Sequence, residues 1–205
     1  LLTNKNMEYQ KEKEQKILEE EKELSPVFNL VNSLKDKPAV LGWNLADDVD
    51  DGQVYTPESL SRLYCQFTQA DPEHLTYISG YTKDEIAQFV NTVDAVGLQA
   101  YPIGHKDNQP ISWTYDIISN ARDLARKNRL IIGNIQAFRW NPENLASAKN
   151  PLTPSIEEIR NMTYQSLIAG VKGIIYFTYY DGYWNFLEYP KLWQQMQSLV
   201  PEIKQ

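Results

Sequence analysis

The chain has 205 residues, of which 42% are hydrophobic and 23% charged, a composition typical of a globular protein with a sizeable core. Its formal charge of −7 argues against a nucleic-acid partner, because phosphate contacts need clustered lysine and arginine. The sequence has no apolar run of about eighteen residues, so we expect no membrane-spanning segment. No signal peptide is present, but the chain begins at Leu1 without an initiator methionine, which leaves the compartment open.

Few residues suited to a metal or cofactor occur. Cys65 is the single cysteine, which excludes an intrachain disulfide and a cysteine-based zinc site, and we interpret it as a buried side chain on a helix. No strand is followed by a glycine-rich phosphate loop, and no Ser-His-Asp arrangement is visible. We therefore expect neither a cofactor nor a metal. Calcium at Asp47, Asp48, Asp50 and Asp51 is an alternative, although their spacing does not fit an EF-hand loop.

The first part of the chain is predicted to be helical. Residues 5–22 form a mixed-charge run rich in helix formers, which predicts a solvated helix. Ser25-Pro26 then predicts the start of a second helix, with apolar residues at helical spacing as far as Leu34. We accordingly predict a helical leader over residues 1–35 and the main domain over residues 36–205.

The main domain alternates five times between a short apolar run and an amphipathic segment. The apolar runs predict buried strands at residues 39–45, 75–79, 93–101, 130–138 and 173–179. The amphipathic segments predict helices that begin near residues 57, 83, 114, 154 and 190. This pattern indicates an α/β fold with a parallel sheet covered by helices. Part of a (β/α)8 TIM barrel and an open parallel α/β sheet both fit it.

Polar and aromatic residues gather where the predicted strands end, whereas the residues that precede the strands show no such cluster. The residues at or just after these strand ends are Asp47, Asp48, Ser79, Gly80, Tyr81, Tyr101, Pro102, Gln136, Arg139, Trp140, Tyr179, Tyr180, Asp181 and Trp184. Ligands of parallel α/β folds bind at the C-terminal ends of the strands. The sequence therefore predicts a functional site at this end of the sheet.

The stretch from Ala39 to Asp48, with Thr56-Pro57-Glu58 after it, resembles a block in glycoside-hydrolase-like TIM barrels, where it forms the fourth strand and the start of the next helix. Segments similar to the sixth, seventh and eighth strands of that family are Gln99–Pro102, Asn134–Phe138 and Gly170–Tyr176. The resemblance covers roughly residues 36–189. It implies that the five predicted strands are strands four to eight of a TIM barrel, and that the chain acts on a poly- or oligosaccharide.

The resemblance also implies catalytic roles, because the relatives use a glutamate ending strand four as the acid and a glutamate ending strand seven as the nucleophile. Asp48 matches the first position and is the predicted proton donor, and its neighbour Asp47 could raise its pKa by repulsion. Gln136 stands on strand seven and cannot be a nucleophile, a departure that argues against double displacement. Asp181, beyond the last strand, is predicted to act as a base or to accept sugar hydroxyls.

Aromatic side chains near the strand ends could present flat apolar faces to sugar rings. The predicted substrate-binding residues are Tyr101, His105, Gln136, Arg139, Trp140, Tyr179 and Trp184. Trp43 lies within a strand and is predicted to be a core residue. His74 begins a strand at the opposite end, which favours a structural role.

A complete TIM barrel takes about 250 residues, more than this chain and its charged leader provide. We therefore expect either a fragment or a chain whose missing strands come from another subunit, and exposed sheet edges would favour self-association. Two further alternatives stay open. One is a carbohydrate-binding barrel without catalysis, which Gln136 favours, and the other is a structural barrel fragment completed by a partner.

Overall fold

The computed structural model describes residues 22, 24–49, 55–105, 109–125, 129–141 and 152–204. Its strands are β1 Gly42–Ala46, β2 Leu75–Gly80, β3 Ala95–Ala100, β4 Leu130–Gln136 and β5 Gly173–Phe177. Its helices are α1 at 24–34, α2 Pro57–Ala70, α3 Lys83–Phe89, α4 Trp113–Ala125, α5 Ile156–Ala169 and α6 Pro190–Ile203. The predicted charged helix and the Asp50-Asp51 part of the acidic turn lie outside the described residues.

The strands form one parallel sheet in the order β1-β2-β3-β4-β5, so each strand pairs with the next one in the chain. Each helix from α2 to α5 contacts the helix that follows it, which places these helices in one layer. A doubly wound sheet instead reverses its strand order and carries helices on both faces. The structure is therefore a curled half-barrel of five βα units, which confirms the predicted α/β class and partial (β/α) barrel.

Side chains alternate between the two faces of this half-barrel. On the outer face Ile78, Val96 and Leu98 are fully buried and pack with residues of the helices. A second cluster under α5 contains Ile135 and Met162, which are also fully buried. The inner, concave face carries the alternate strand residues, and its polar members are the subject of the next subsection.

Capping interactions account for the observed helix starts, both where they agree with the prediction and where they differ from it. α2 begins at Pro57 as predicted, because Thr56 and Ser59 form a capping box. α5 begins later than predicted, because Ser155 caps it through a reciprocal pair with Glu158. Gly170 ends α5 in a left-handed conformation, φ 94°, as expected of a glycine after a helix.

Two further predictions concern single features. Cys65 lies on α2 as predicted, but its side chain is exposed rather than buried, because it lies off the helix face that carries the buried residues Leu60 and Phe67. No helix in the described ranges is long and apolar enough to cross a membrane.

Candidate functional site

A polar network joins the C-terminal ends of β1, β2 and β3, the edge that we call the C-terminal rim. Asp47 directly follows β1, and its Oδ1 accepts hydrogen bonds from the Ser79 hydroxyl and from Gln99 Nε2, the latter at 2.8 Å. Ser79 and Gln99 are buried whereas Asp47 is exposed. Two donors on neighbouring strands therefore hold a carboxylate that remains open to solvent.

The network continues across the concave face to β4. The Tyr77 hydroxyl donates to Asn134 Oδ1 at 2.8 Å, so a side chain of β2 passes over β3. It does so at Gly97, where a Cβ atom would lie 1.8 Å from the Tyr77 hydroxyl oxygen. A side chain at residue 97 would therefore displace the Tyr77 phenol from this position.

Burial raises the pKa of Tyr77 to about 12, the nearby charge of Asp47 acts in the same direction, and hydrogen bonds with Asn134 and Ser79 oppose it. Burial likewise raises the pKa of Tyr101, and Tyr77, Asp47 and Asp48 raise it further. Both phenols therefore stay protonated at neutral pH and can donate hydrogen bonds. The concave face thus carries neutral donors close to two carboxylates.

Asp48 follows Asp47 and is exposed at the rim. Its φ of 47° lies in the left-handed region, which aspartate adopts more readily than most other non-glycine residues. Such conformations are found disproportionately at functional sites, where the surrounding structure holds them. The turn after β1 therefore presents two successive carboxylates with different backbone conformations.

An aromatic group stands beside this network, at the ends of β3, β4 and β5. The Tyr101 ring lies 5.1 Å from that of Phe138, 6.2 Å from Trp140 and 6.0 Å from Phe177, between centroids. His105 extends the group, with its ring 5.8 Å from that of Trp140. Tyr101 lies near the charges of Asp47 and Asp48 and also contacts Trp140, so it stands between the polar network and the aromatic group.

Gln136 was predicted to bind substrate, but its side chain is not placed to contact a ligand. It is fully buried, its Nε2 donates to the carbonyls of Ile103 and Phe138, and its Oε1 accepts from the Ile103 N–H. The amide is thus committed to holding the loop after β3 against β4. This arrangement favours a structural role for Gln136.

Trp184 and Asp181 lie together in the turn after β5. Trp184 is 1% exposed and stacks on Tyr189 at 4.3 Å, so its ring offers no open face. Asp181 is exposed, and its Oδ1 accepts from the backbone N–H groups of Tyr183 and Trp184 at 2.9 and 2.6 Å. One oxygen of this carboxylate therefore shapes the turn.

Arg139 and Tyr179 lie towards the same side of the rim. Arg139 Nη2 donates to the Tyr183 hydroxyl at 3.1 Å, and the guanidinium carbon is 5.6 Å from the centroid of that ring. Tyr179 is 46% exposed, with its ring 5.2 Å from that of Trp193. Neither residue has a described contact with the Asp47 network.

A shallow cavity of about 250 Å³ lies between the loop after β3 and the start of α5. His105 is among its lining residues, but none of the polar network is. Within the described ranges no group of three or more His, Cys, Asp or Glu residues is placed to hold a metal ion.

Four members of the polar network were not predicted as site residues: Ser79, which was noted only as a strand-end residue, and Tyr77, Gln99 and Asn134, which were not selected. All four alternate with the buried apolar residues that face the helices, for example Ile78 and Leu98. That period of two was the available signal. A polar residue between buried apolar neighbours in a barrel strand points to the concave face.

No family model and no curated protein sequence matches this chain. Among solved structures, a candidate alpha-L-fucosidase from Bacteroides thetaiotaomicron superposes with a TM-score of 0.58 at 12% identity, over 84% of this chain and 60% of that one. A xylanase from Cellvibrio japonicus gives 0.49 at 13% identity, over 78% and 62% of the two chains. A GH99 endo-alpha-mannosidase from Bacteroides thetaiotaomicron gives 0.48 at 13% identity, over 65% and 41%.

The chain therefore spans about 60% of the length of the fucosidase-like structure. At 12% identity the likeness concerns the fold, and it confirms the resemblance found in the sequence. The described chain has the fold of part of a TIM barrel of the kind found in glycoside hydrolases.

Proposed function

We propose that this chain is a glycoside-hydrolase-like protein that acts on a poly- or oligosaccharide, with Asp48 as the proton donor. The observation that carries the proposal is the polar network of Asp47, Ser79 and Gln99, which leaves an exposed carboxylate pair at the C-terminal rim. In TIM barrels this rim is where catalytic groups gather.

The chemistry assigned to the pair follows from its surroundings. Hydrogen bonds from Ser79 and Gln99 hold the Asp47 carboxylate in place, and Asp48 follows it directly in the turn after β1. Asp48 would then protonate the glycosidic oxygen as the bond breaks. Asp181 supplies a further carboxylate at the rim, and its Oδ2 has no described hydrogen bond, so we propose it as the base or as an acceptor for sugar hydroxyls.

The test is a thermal melt of the chain against a panel of oligosaccharides, followed by hydrolysis assays with the sugar that raises the Tm most. Asp48→Asn should lower turnover at least about a hundredfold, the usual contribution of general acid catalysis, while the shift in Tm is kept. Asp36→Asn, at an exposed aspartate before β1, is the matched control and should leave turnover unchanged. Full turnover in Asp48→Asn would refute the assignment.

Carbohydrate binding without hydrolysis is the second candidate. The observation that favours it is the commitment of Gln136 to backbone groups, because strand seven of the hydrolysing relatives supplies the nucleophile. A sugar that raises the Tm but is not hydrolysed, in the wild type as well as in Asp48→Asn, would decide for this candidate.

We further propose that additional βα units complete the barrel, either from another segment of the polypeptide or from a second chain. Among the described strands β1 and β5 each pair on one side only, and the fucosidase-like structure is longer than the match. Light scattering on the purified chain tests this: a monomer with a single cooperative melt would show that five units suffice, and a defined oligomer would support completion by a partner.

A further inference from the structure

Arg139, at the C-terminal rim, has a different kind of partner from two other arginines of the described chain. Arg129 and Arg160 lie 3.8 and 2.7 Å from the carboxylates of Asp94 and Glu202. Arg139 has no carboxylate within 4.0 Å among the described residues, and its one described side-chain hydrogen bond goes to the neutral hydroxyl of Tyr183. The nearby Asp181 directs its Oδ1 to backbone N–H groups instead. Arg122, on α4, likewise has no carboxylate partner among the described residues and donates to the Ala169 carbonyl.

Two buried donors belong to consecutive residues at this position. Arg139 Nε and Trp140 Nε1 are both shielded from solvent, and neither has a hydrogen-bond acceptor among the described residues. A buried donor without an acceptor is destabilising, more so when it is charged, and calls for an explanation. Thr114 Oγ1 and Ser119 Oγ are likewise buried without a partner among the described residues. Trp184 Nε1 is also unpartnered, but it lies in a closed aromatic stack, whereas Trp140 belongs to the aromatic group at the rim.

The chemistry of the pair selects the kind of ligand. A guanidinium binds planar or tetrahedral oxyanions through two parallel hydrogen bonds, which an ammonium cannot do in the same geometry. The indole N–H next to it would donate to a further oxygen, and the Tyr101 ring beside Trp140 provides an apolar face for the sugar. Neutral sugars would leave the Arg139 charge without a counter-ion.

We propose that Arg139 and Trp140 form a subsite for the anionic substituent of an acidic saccharide, either the carboxylate of a uronic acid or a sulfate ester. This inference rests on the carbohydrate function proposed above and names the class of saccharide. Arg139 is the specificity-determining residue, and Trp140 positions the ring that carries the substituent.

The experiment measures the affinity of the full chain by calorimetry, with oligosaccharides in matched pairs. Oligogalacturonate and alginate oligosaccharides are each compared with their carboxyl-reduced forms, and sulfated galactan oligosaccharides with their desulfated forms. We expect an acidic member to bind at least about tenfold more tightly than its neutral counterpart, as for a charge-assisted hydrogen-bond pair. The pair that shows the preference distinguishes carboxylate from sulfate.

Variants test whether Arg139 is responsible for the preference for acidic over neutral saccharides. Arg139→Gln should abolish it, and Arg139→Lys, which keeps the charge but not the two-pronged geometry, should retain only part of it. Arg160→Gln removes the same charge from α5 and should leave the preference intact. A melt without ligand checks the folding of each variant, and Arg139→Lys carries the test if Arg139→Gln is unfolded.

Two results would overturn the inference. If the neutral members bind as tightly as the acidic ones, or Arg139→Gln keeps the acidic preference, the subsite is refuted while the proposed carbohydrate function stands. If no saccharide of either kind binds, both proposals fall.

Discussion

Aspartates stand at both ends of the sheet, and the two ends use them differently. At the N-terminal rim, where the strands begin, Asp71 is 3% exposed. Its carboxylate accepts hydrogen bonds from Trp43 Nε1 and His74 Nδ1, both at 2.8 Å, and from the Glu73 N–H. At the C-terminal rim Asp47 has two side-chain donors and remains exposed.

Asp94 repeats the pattern of the N-terminal rim. Its Oδ2 accepts from the backbone N–H and the hydroxyl of Thr76, and its Oδ1 accepts from Tyr64, with Arg129 at 3.8 Å. Carboxylates at this rim thus tie strands to helices and use up their acceptor sites. The contrast teaches that donor saturation and burial, more than the presence of an acidic residue, separate a structural aspartate from one available to a ligand.

The largest effect is expected at Asp71. Asp71→Ala should lower the free energy of unfolding by about 2–3 kcal/mol, because the half-buried Trp43 and His74 donors lose their acceptor. Urea denaturation measures the change. Asp36→Ala, at an exposed aspartate, should change it by less than about 0.5 kcal/mol. Equal effects in the two variants would contradict the structural role of Asp71.

The contribution of Asp71 to the free energy of unfolding is also expected to depend on pH. Burial acts to raise the pKa of Asp71, but the hydrogen bonds from His74, Trp43 and Glu73 outweigh it, and the pKa lies below its ordinary value. A lowered folded-state pKa gives stability that is present above the unfolded pKa, about 3.9, and is lost as pH falls through the folded value. The difference in unfolding free energy between wild type and Asp71→Asn should therefore shrink below about pH 4. A constant difference down to pH 2 would argue against this assignment.

A smaller effect is expected at Tyr77. Tyr77→Phe removes one hydrogen bond to Asn134 and should cost about 1 kcal/mol. Because burial raises the pKa of Tyr77 to about 12, the stabilisation that this residue gives is complete below about pH 10 and declines as pH rises towards 12. Tyrosinate absorbance should show one late-titrating group fewer in the variant. An unchanged titration would place the late group elsewhere.

The smallest change in stability is expected for a substitution at Asp47. This substitution tests the difference between the two rims most directly. Asp47→Asn keeps an acceptor oxygen for Ser79 and Gln99 at an exposed position, so the free energy of unfolding should fall by less than about 1 kcal/mol. The rise in Tm with saccharide should nevertheless be lost. If Asp47→Asn destabilises the chain as much as Asp71→Ala, the two rims do not differ in the way proposed.

The sequence predicted the order and type of the described elements of the main domain well, because continuous apolar runs such as that of β4 alternate with amphipathic segments. It also placed His74 at the N-terminal rim, where the structure has it. Trp43, predicted to be a core residue, is partly buried and packs against the core. Strand ends were less accurate: the fifth strand ends at Phe177 rather than Tyr179. Apolar and aromatic residues continue beyond the last ladder pair, so hydropathy alone does not mark the end.

The site was only partly predictable. Position after a strand selected Asp47, Asp48 and Tyr101, which the structure brings together, but it also selected Gln136 and Trp184, which are buried. Burial of a loop residue depends on which distant segment covers it, as Tyr189 covers Trp184. A sequence read strand by strand does not contain that information.

The passage of Tyr77 over Gly97 has a consequence for related sequences. A phenol at residue 77 and any side chain at residue 97 compete for the same volume, since a Cβ at 97 would lie 1.8 Å from the hydroxyl oxygen. The two positions are therefore expected to covary during evolution. Homologues that acquire a side chain at the position of Gly97 should carry a small residue at that of Tyr77, and would link β2 to β4 by other means.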